Sequence, residues 1–64
     1  MSNMPKNSLS GEEAKAVVIA AYPFAVAKLD AGFKWRIYPN GTGYFIATLA
    51  TSEAEAWIEA AKNL

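Results

Sequence analysis

Neither cysteine nor histidine occurs anywhere in the 64 residues. The first absence removes disulfides and thiolate chemistry, and the two together remove the commonest zinc ligands. Charge of one sign is missing as well. Six Lys and Arg balance six Asp and Glu, which argues against a general DNA binder and equally against an acidic mimic of DNA. Long apolar runs are also lacking: the longest, residues 16–27, is too short to cross a bilayer and contains Pro23. Its Ala25-Val26-Ala27 has the form of a signal-peptidase site. Glu12 and Glu13, however, lie where a signal peptide carries positive charge, and cleavage would leave a short remnant with no disulfide. The chain is therefore expected to be cytoplasmic, with no membrane association, no metal and no cofactor.

What is present is apolar for so short a chain. Hydrophobic residues make up 53% of it, near the lower size limit for a domain that folds without staples. A single core of this size has difficulty hiding so much apolar surface, and self-assembly is the usual remedy. Residues 1–9, polar and without periodicity, read as a flexible tail, and residues 10–64 as one small domain.

Residues 33–50 show the one strict two-residue hydrophobic period and read as a β-hairpin. A two-residue loop on Asn40-Gly41 leaves both faces mixed. A three-residue loop, Pro39-Asn40-Gly41, uses proline at the first turn position and a left-handed glycine at the last. It sets Trp35 opposite Phe45 and collects Phe33, Trp35, Ile37, Phe45, Ala47 and Leu49 on an inner face. Lys34, Arg36, Tyr38, Thr42, Tyr44, Ile46 and Thr48 fall on the outer face.

Helices flank this hairpin. Ser10-Gly11-Glu12-Glu13 has the form of a capping box, so a helix is expected over residues 11–21. Pro23 should kink or break it, with helix resuming over residues 24–31 and Gly32 as a left-handed C-cap. Its apolar residues fall all round the cylinder, so this helix needs cover on every side. Ser52-Glu53-Ala54-Glu55 signals a second helix, from about Glu53 to Asn63, with Ala54, Trp57, Ile58, Ala61 and Leu64 in one stripe. The expected fold is α+β: a kinked N-terminal helix, a two-stranded antiparallel hairpin and a C-terminal helix, with both helices on one face of the sheet.

The residues offer little catalytic chemistry. Glu55 and Glu59 share a helical face, but two carboxylates without further oxygens make a poor cation site. Ser10 and Ser52 are used as caps, and Gly41-Thr42-Gly43 lies in a hairpin loop rather than between strand and helix, where phosphate loops occur. A non-catalytic role is expected. The set worth attention is Lys34, Arg36, Tyr38, Tyr44 and Ile46, which interleaves basic and aromatic residues as contact surfaces for proteins or nucleic acids do. The same pattern also describes an ordinary solvated sheet face with tyrosines chosen for strand propensity.

Trp35-Arg36-Ile37-Tyr38, followed by Thr51-Ser52-Glu53-Ala54-Glu55-Ala56-Trp57-Ile58-Glu59-Ala60-Ala61, resembles the hairpin-then-helix pattern of short accessory proteins of bacteriophages and prophages. The resemblance covers residues 34–61. It implies a host-takeover or anti-defence protein, such as an anti-CRISPR, that binds and blocks a host protein. The leading expectation is thus a small protein-interaction module of phage origin. A nucleic-acid-binding hairpin, with Lys34 and Arg36 on phosphates and Tyr38 or Tyr44 stacking on bases, is the alternative, and a purely structural self-assembling subunit is the third. A homodimer is expected, because residues 43–49 carry neither charge nor proline and would leave an inviting sheet edge. The second strand or the first helix would form its interface.

Overall fold

The computed structural model describes residues 9–46 and 49–64. They form an α+β fold in the order α1 (Gly11–Ala21), β1 (Val26–Asp30), β2 (Lys34–Tyr38) and α2 (Glu53–Lys62). Helix, antiparallel hairpin and helix is the order expected, but different residues make the hairpin. The tail expected over residues 1–9 lies outside the described residues, except for Leu9, which packs against the core.

Helix α1 starts as its capping box requires. The Ser10 hydroxyl accepts from the Glu13 amide at 3.1 Å, and the Glu13 carboxylate accepts from the Ser10 amide at 2.9 Å. Of the two outcomes expected at Pro23, the structure has the break: the last helical bond runs from the Tyr22 amide to the Val18 carbonyl. Helix does not resume over residues 24–31. A turn closed by the Ala25 amide on the Tyr22 carbonyl leads straight into β1. An eight-residue helix restarted after proline would have to nucleate again, which is unfavourable for so short a piece. Pairing with the strongly strand-forming Lys34–Tyr38 satisfies the backbone groups of Val26, Lys28 and Asp30 instead.

The hairpin therefore lies one element earlier than expected. Val26 pairs with Tyr38, Lys28 with Arg36, Leu29 with Trp35 and Asp30 with Lys34. Its turn contains Gly32 at φ +82° and Phe33 at φ +59°. Gly32 is left-handed, as expected, but in a hairpin turn rather than at a helix end. Phe33 is 82% exposed at the tip instead of buried on an inner face.

The turn expected at Pro39-Asn40-Gly41 does form. The Gly41 amide bonds to the Tyr38 carbonyl at 3.1 Å and Gly41 has φ +82°. Among the described residues no regular strand succeeds it, because Gly43 is left-handed too (φ +87°) and extends the loop. The chain returns to β2 later than expected: the Ile46 amide donates to the Ile37 carbonyl, and Trp35 bridges to Ala50, not to Phe45. Ala47 and Thr48, assigned to opposite faces of the expected strand, lie outside the described residues. Leu49 is 68% exposed, against the expectation that it faces inward.

Helix α2 packs on α1 and on both strands, and α1 packs on α2 rather than on the sheet. Ala14, Val18, Ile37, Ala50, Ala56, Trp57 and Ala60 are buried between these layers. The expected stripe on α2 is partly displaced: Trp57 is buried, Ile58 and Ala61 are half-buried, and Leu64 is exposed. A helix with neighbours on two sides needs two packed faces, and Ala56 and Ala60, one turn apart, let it approach closely.

Candidate functional site on the outer sheet face

Strand alternation puts Ala27, Leu29, Trp35 and Ile37 toward the helices, and Val26, Lys28, Asp30, Lys34, Arg36 and Tyr38 on the opposite face. The outer face is organised around Asp30. Its Oδ2 accepts the Tyr38 hydroxyl at 2.5 Å and lies 3.4 Å from Arg36 Nη1. Phe45 folds back from the loop onto the same face. The Arg36 guanidinium lies 4.5 Å from the centre of the Phe45 ring, and Tyr38 meets that ring edge-on at 5.8 Å. Lys28 Nζ sits 5.0 Å from the centre of the Tyr38 ring. Two cations thus cover two aromatic rings, and one carboxylate ties tyrosine to arginine.

The hydrogen bond to Asp30 pushes the Tyr38 phenol above its ordinary pKa, with desolvation and the Asp30 charge adding to the effect and Arg36 opposing it. On α2, the backbone amide and hydroxyl of Thr51 hold the Glu55 carboxyl below its usual range. Ser52-Glu53-Ala54-Glu55 makes only half of a capping box: the Glu55 amide donates to the Ser52 hydroxyl, while the Glu55 carboxylate accepts from Thr51.

Charge divides between the layers. The strands carry Lys28, Lys34 and Arg36 against Asp30 alone, and the helices carry Glu12, Glu13, Glu53, Glu55 and Glu59 against Lys15 and Lys62. A chain with no net charge thus has a basic sheet face and an acidic helical side.

Of the five residues singled out in the sequence, Lys34, Arg36 and Tyr38 share this face. Tyr44 stays 60% exposed on the loop, and Ile46 turns inward to pack against the core. Lys28, Asp30 and Phe45 belong to the face and are not expected there from the sequence. For Lys28 and Asp30 a signal exists: Val26-Ala27-Lys28-Leu29-Asp30 alternates in polarity over its last four residues. For Phe45 there is none, because the loop that places it is irregular.

A concavity of about 520 Å³ lies along the seam of the two helices, lined by Gly11, Glu12, Lys15, Ile19, Glu53 and Trp57 among others. Lys15 Nζ sits 5.6 Å from the centre of the Trp57 ring, and the indole N–H donates to Glu53 Oε2 at 3.1 Å. Among the described residues there is no cluster of three or more acidic ligands suited to a metal ion, and no helix long and apolar enough to cross a membrane. Comparison with protein-family models, with curated proteins and with solved structures finds no match.

Proposed function

We propose that this chain is a small, non-catalytic protein-interaction module that acts in the cytoplasm by occupying a partner's surface with its outer sheet face. The observation that carries the reading is the segregation of Lys28, Lys34 and Arg36, interleaved with Tyr38 and Phe45, away from the acidic helices. Such a face suits an acidic partner surface, with aromatic area for contact and cations for steering and register. The phage-type pattern of residues 34–61 supports a blocking role against a host protein, of the anti-CRISPR kind.

The acting species in this proposal is a homodimer. Phe24, Leu29, Phe33 and Leu49 are between 51% and 82% exposed in the single chain, more apolar surface than a monomer of this size usually leaves open. Of the segment expected to give the interface edge, the described residues 43–46 and 49 form no regular strand.

The test is capture of partners from host lysate by the wild-type chain and by Lys34→Glu/Arg36→Glu, with and without nuclease. A protein captured by the wild type alone and resistant to nuclease supports the reading. Capture that nuclease abolishes would instead favour the nucleic-acid alternative, in which Lys28, Lys34 and Arg36 contact phosphates. Light scattering at micromolar concentration reads the mass: twice 6.9 kDa supports the homodimer, and 6.9 kDa rules it out.

A further inference from the structure

The two edges of the hairpin are unequal. The outer edge of β2 is occupied, because the Trp35 amide donates to Ala50 and the Ile37 carbonyl accepts from Ile46. In an antiparallel pair, a residue whose backbone points away from its partner strand belongs to a non-hydrogen-bonded pair. Trp35 and Ile37 are such residues, so their partners Leu29 and Ala27 also point away, toward the free side of β1. Among the described residues nothing pairs with the amide and carbonyl groups of Ala27 and Leu29, which thus form an open ladder edge.

We propose that β1 pairs antiparallel with β1 of a second copy, in the register that sets Leu29 opposite Leu29 on the two-fold axis. This rests on the homodimer proposed above and gives it a site. Two features of β1 and one of its flanks fit that register. Leu29, 51% exposed on the helical side, finds its own side chain across the axis. Lys28 falls opposite Asp30 of the second copy in a non-hydrogen-bonded pair, where side chains lie closest. Both Tyr38 and Arg36 use Asp30 Oδ2, leaving Oδ1 for an ammonium group. Continuing the same register outward brings the exposed Phe33 turn of one copy beside the exposed Phe24 of the other.

Shifting the axis by one residue to Lys28 would oppose Lys28 to itself and forfeit the pairing with Asp30. The charge pattern therefore selects one register as well as permitting assembly. The product is a four-stranded sheet, β2-β1-β1-β2, with the helices of both copies on one face. Its other face joins two copies of the Lys28, Lys34, Arg36 and Tyr38 surface into one continuous strip.

The experiment uses complementary charge variants of the full chain. Lys28→Asp opposes two carboxylates at each side of the axis, and Asp30→Lys opposes two ammonium groups; each is expected to weaken the dimer roughly tenfold or more. Mixed in equal amounts, the two variants restore both opposite-charge pairs, and the dimer should reappear. Circular dichroism checks that each variant folds. Because the chain has no cysteine, Leu29→Cys gives a second reading that leaves Asp30 untouched. Opposed hydrogen-bonded residues lie about 5.5 Å apart, within disulfide reach, so mild oxidation should link this variant and leave Val17→Cys unlinked. A wild-type dimer whose Leu29→Cys variant links no faster than Val17→Cys overturns this register and leaves the homodimer standing. A wild-type mass of one chain overturns both.

Discussion

Gly11 and Ala54 hold the first turns of α1 and α2 so close that a Cβ built on Gly11 would lie 2.7 Å from the Cβ of Ala54 and 3.0 Å from its Cα. No real Cβ tolerates the first distance, and the second involves backbone. The glycine is therefore required by packing and not by an unusual φ.

Gly11→Ala should destabilise the domain although alanine is the better helix former. The propensity gain is at most about 1 kcal/mol, whereas overpacking typically costs about 1–3 kcal/mol. Urea titration should show a lower midpoint for Gly11→Ala and recovery of only part of the loss in Gly11→Ala/Ala54→Gly, which removes the contact with the Ala54 Cβ but not the one with its Cα. A midpoint at or above that of the parent would mean that the helices do not meet there.

The two tryptophans should behave differently. Trp57 is 3% exposed and its indole N–H is bonded to Glu53, while Trp35 is only half-buried. Trp57→Ala should cost about 3–5 kcal/mol, comparable with the whole stability of so small a domain. Thermal melts should show no cooperative transition for Trp57→Ala and a lowered but visible one for Trp35→Ala.

Phe33 holds a left-handed backbone conformation while its ring stands in solvent. A bulky residue in that region costs roughly 1–2 kcal/mol relative to one that visits it freely. Phe33→Gly, or Phe33→Asn to a smaller extent, should raise the melting temperature of the isolated chain. If Phe33 lies at the interface between copies, the same substitution should weaken dimerisation while it stabilises the fold.

Alkaline titration should find the Tyr38 phenol ionising above pH 10, because its hydrogen bond to Asp30 favours the neutral form. The sign is set by the raised folded-state value. The contribution to stability is complete below the unfolded pKa of about 10 and is lost as pH rises through the folded one. Asp30→Asn should bring the phenolate absorbance step back toward pH 10.

Local signals in the chain are legible. Ser10 and Ser52 cap helices that begin at the expected residues, and Gly32 and Gly41 are left-handed as their surroundings demand. What the sequence does not settle is the choice of partner for Lys34–Tyr38. Two segments compete for it, and both find a place, one on each edge. Residues 24–31 are alanine-rich and satisfy helical and strand patterns about equally, so hydrogen bonds to a strand closed by the Gly32 turn decide the matter. The site inherits the same ambiguity: Lys34, Arg36 and Tyr38 are legible because their strand is, whereas Lys28 and Asp30 are hidden in an expected helix.

The position of α2 shapes how this chain can be made. Among the described residues it is the last of the four elements to leave the ribosome, and the only one that packs on the other three. Until residues 53–62 emerge, the nascent chain holds a capped helix of marginal length and a two-stranded hairpin, neither stable alone. Val18 and Ile37, fully buried in the finished fold, remain accessible to chaperones and proteases until then. Folding is therefore expected to await synthesis of α2 and then occur as a single late event, and a ribosome stalled before residue 53 should display a protease-sensitive chain.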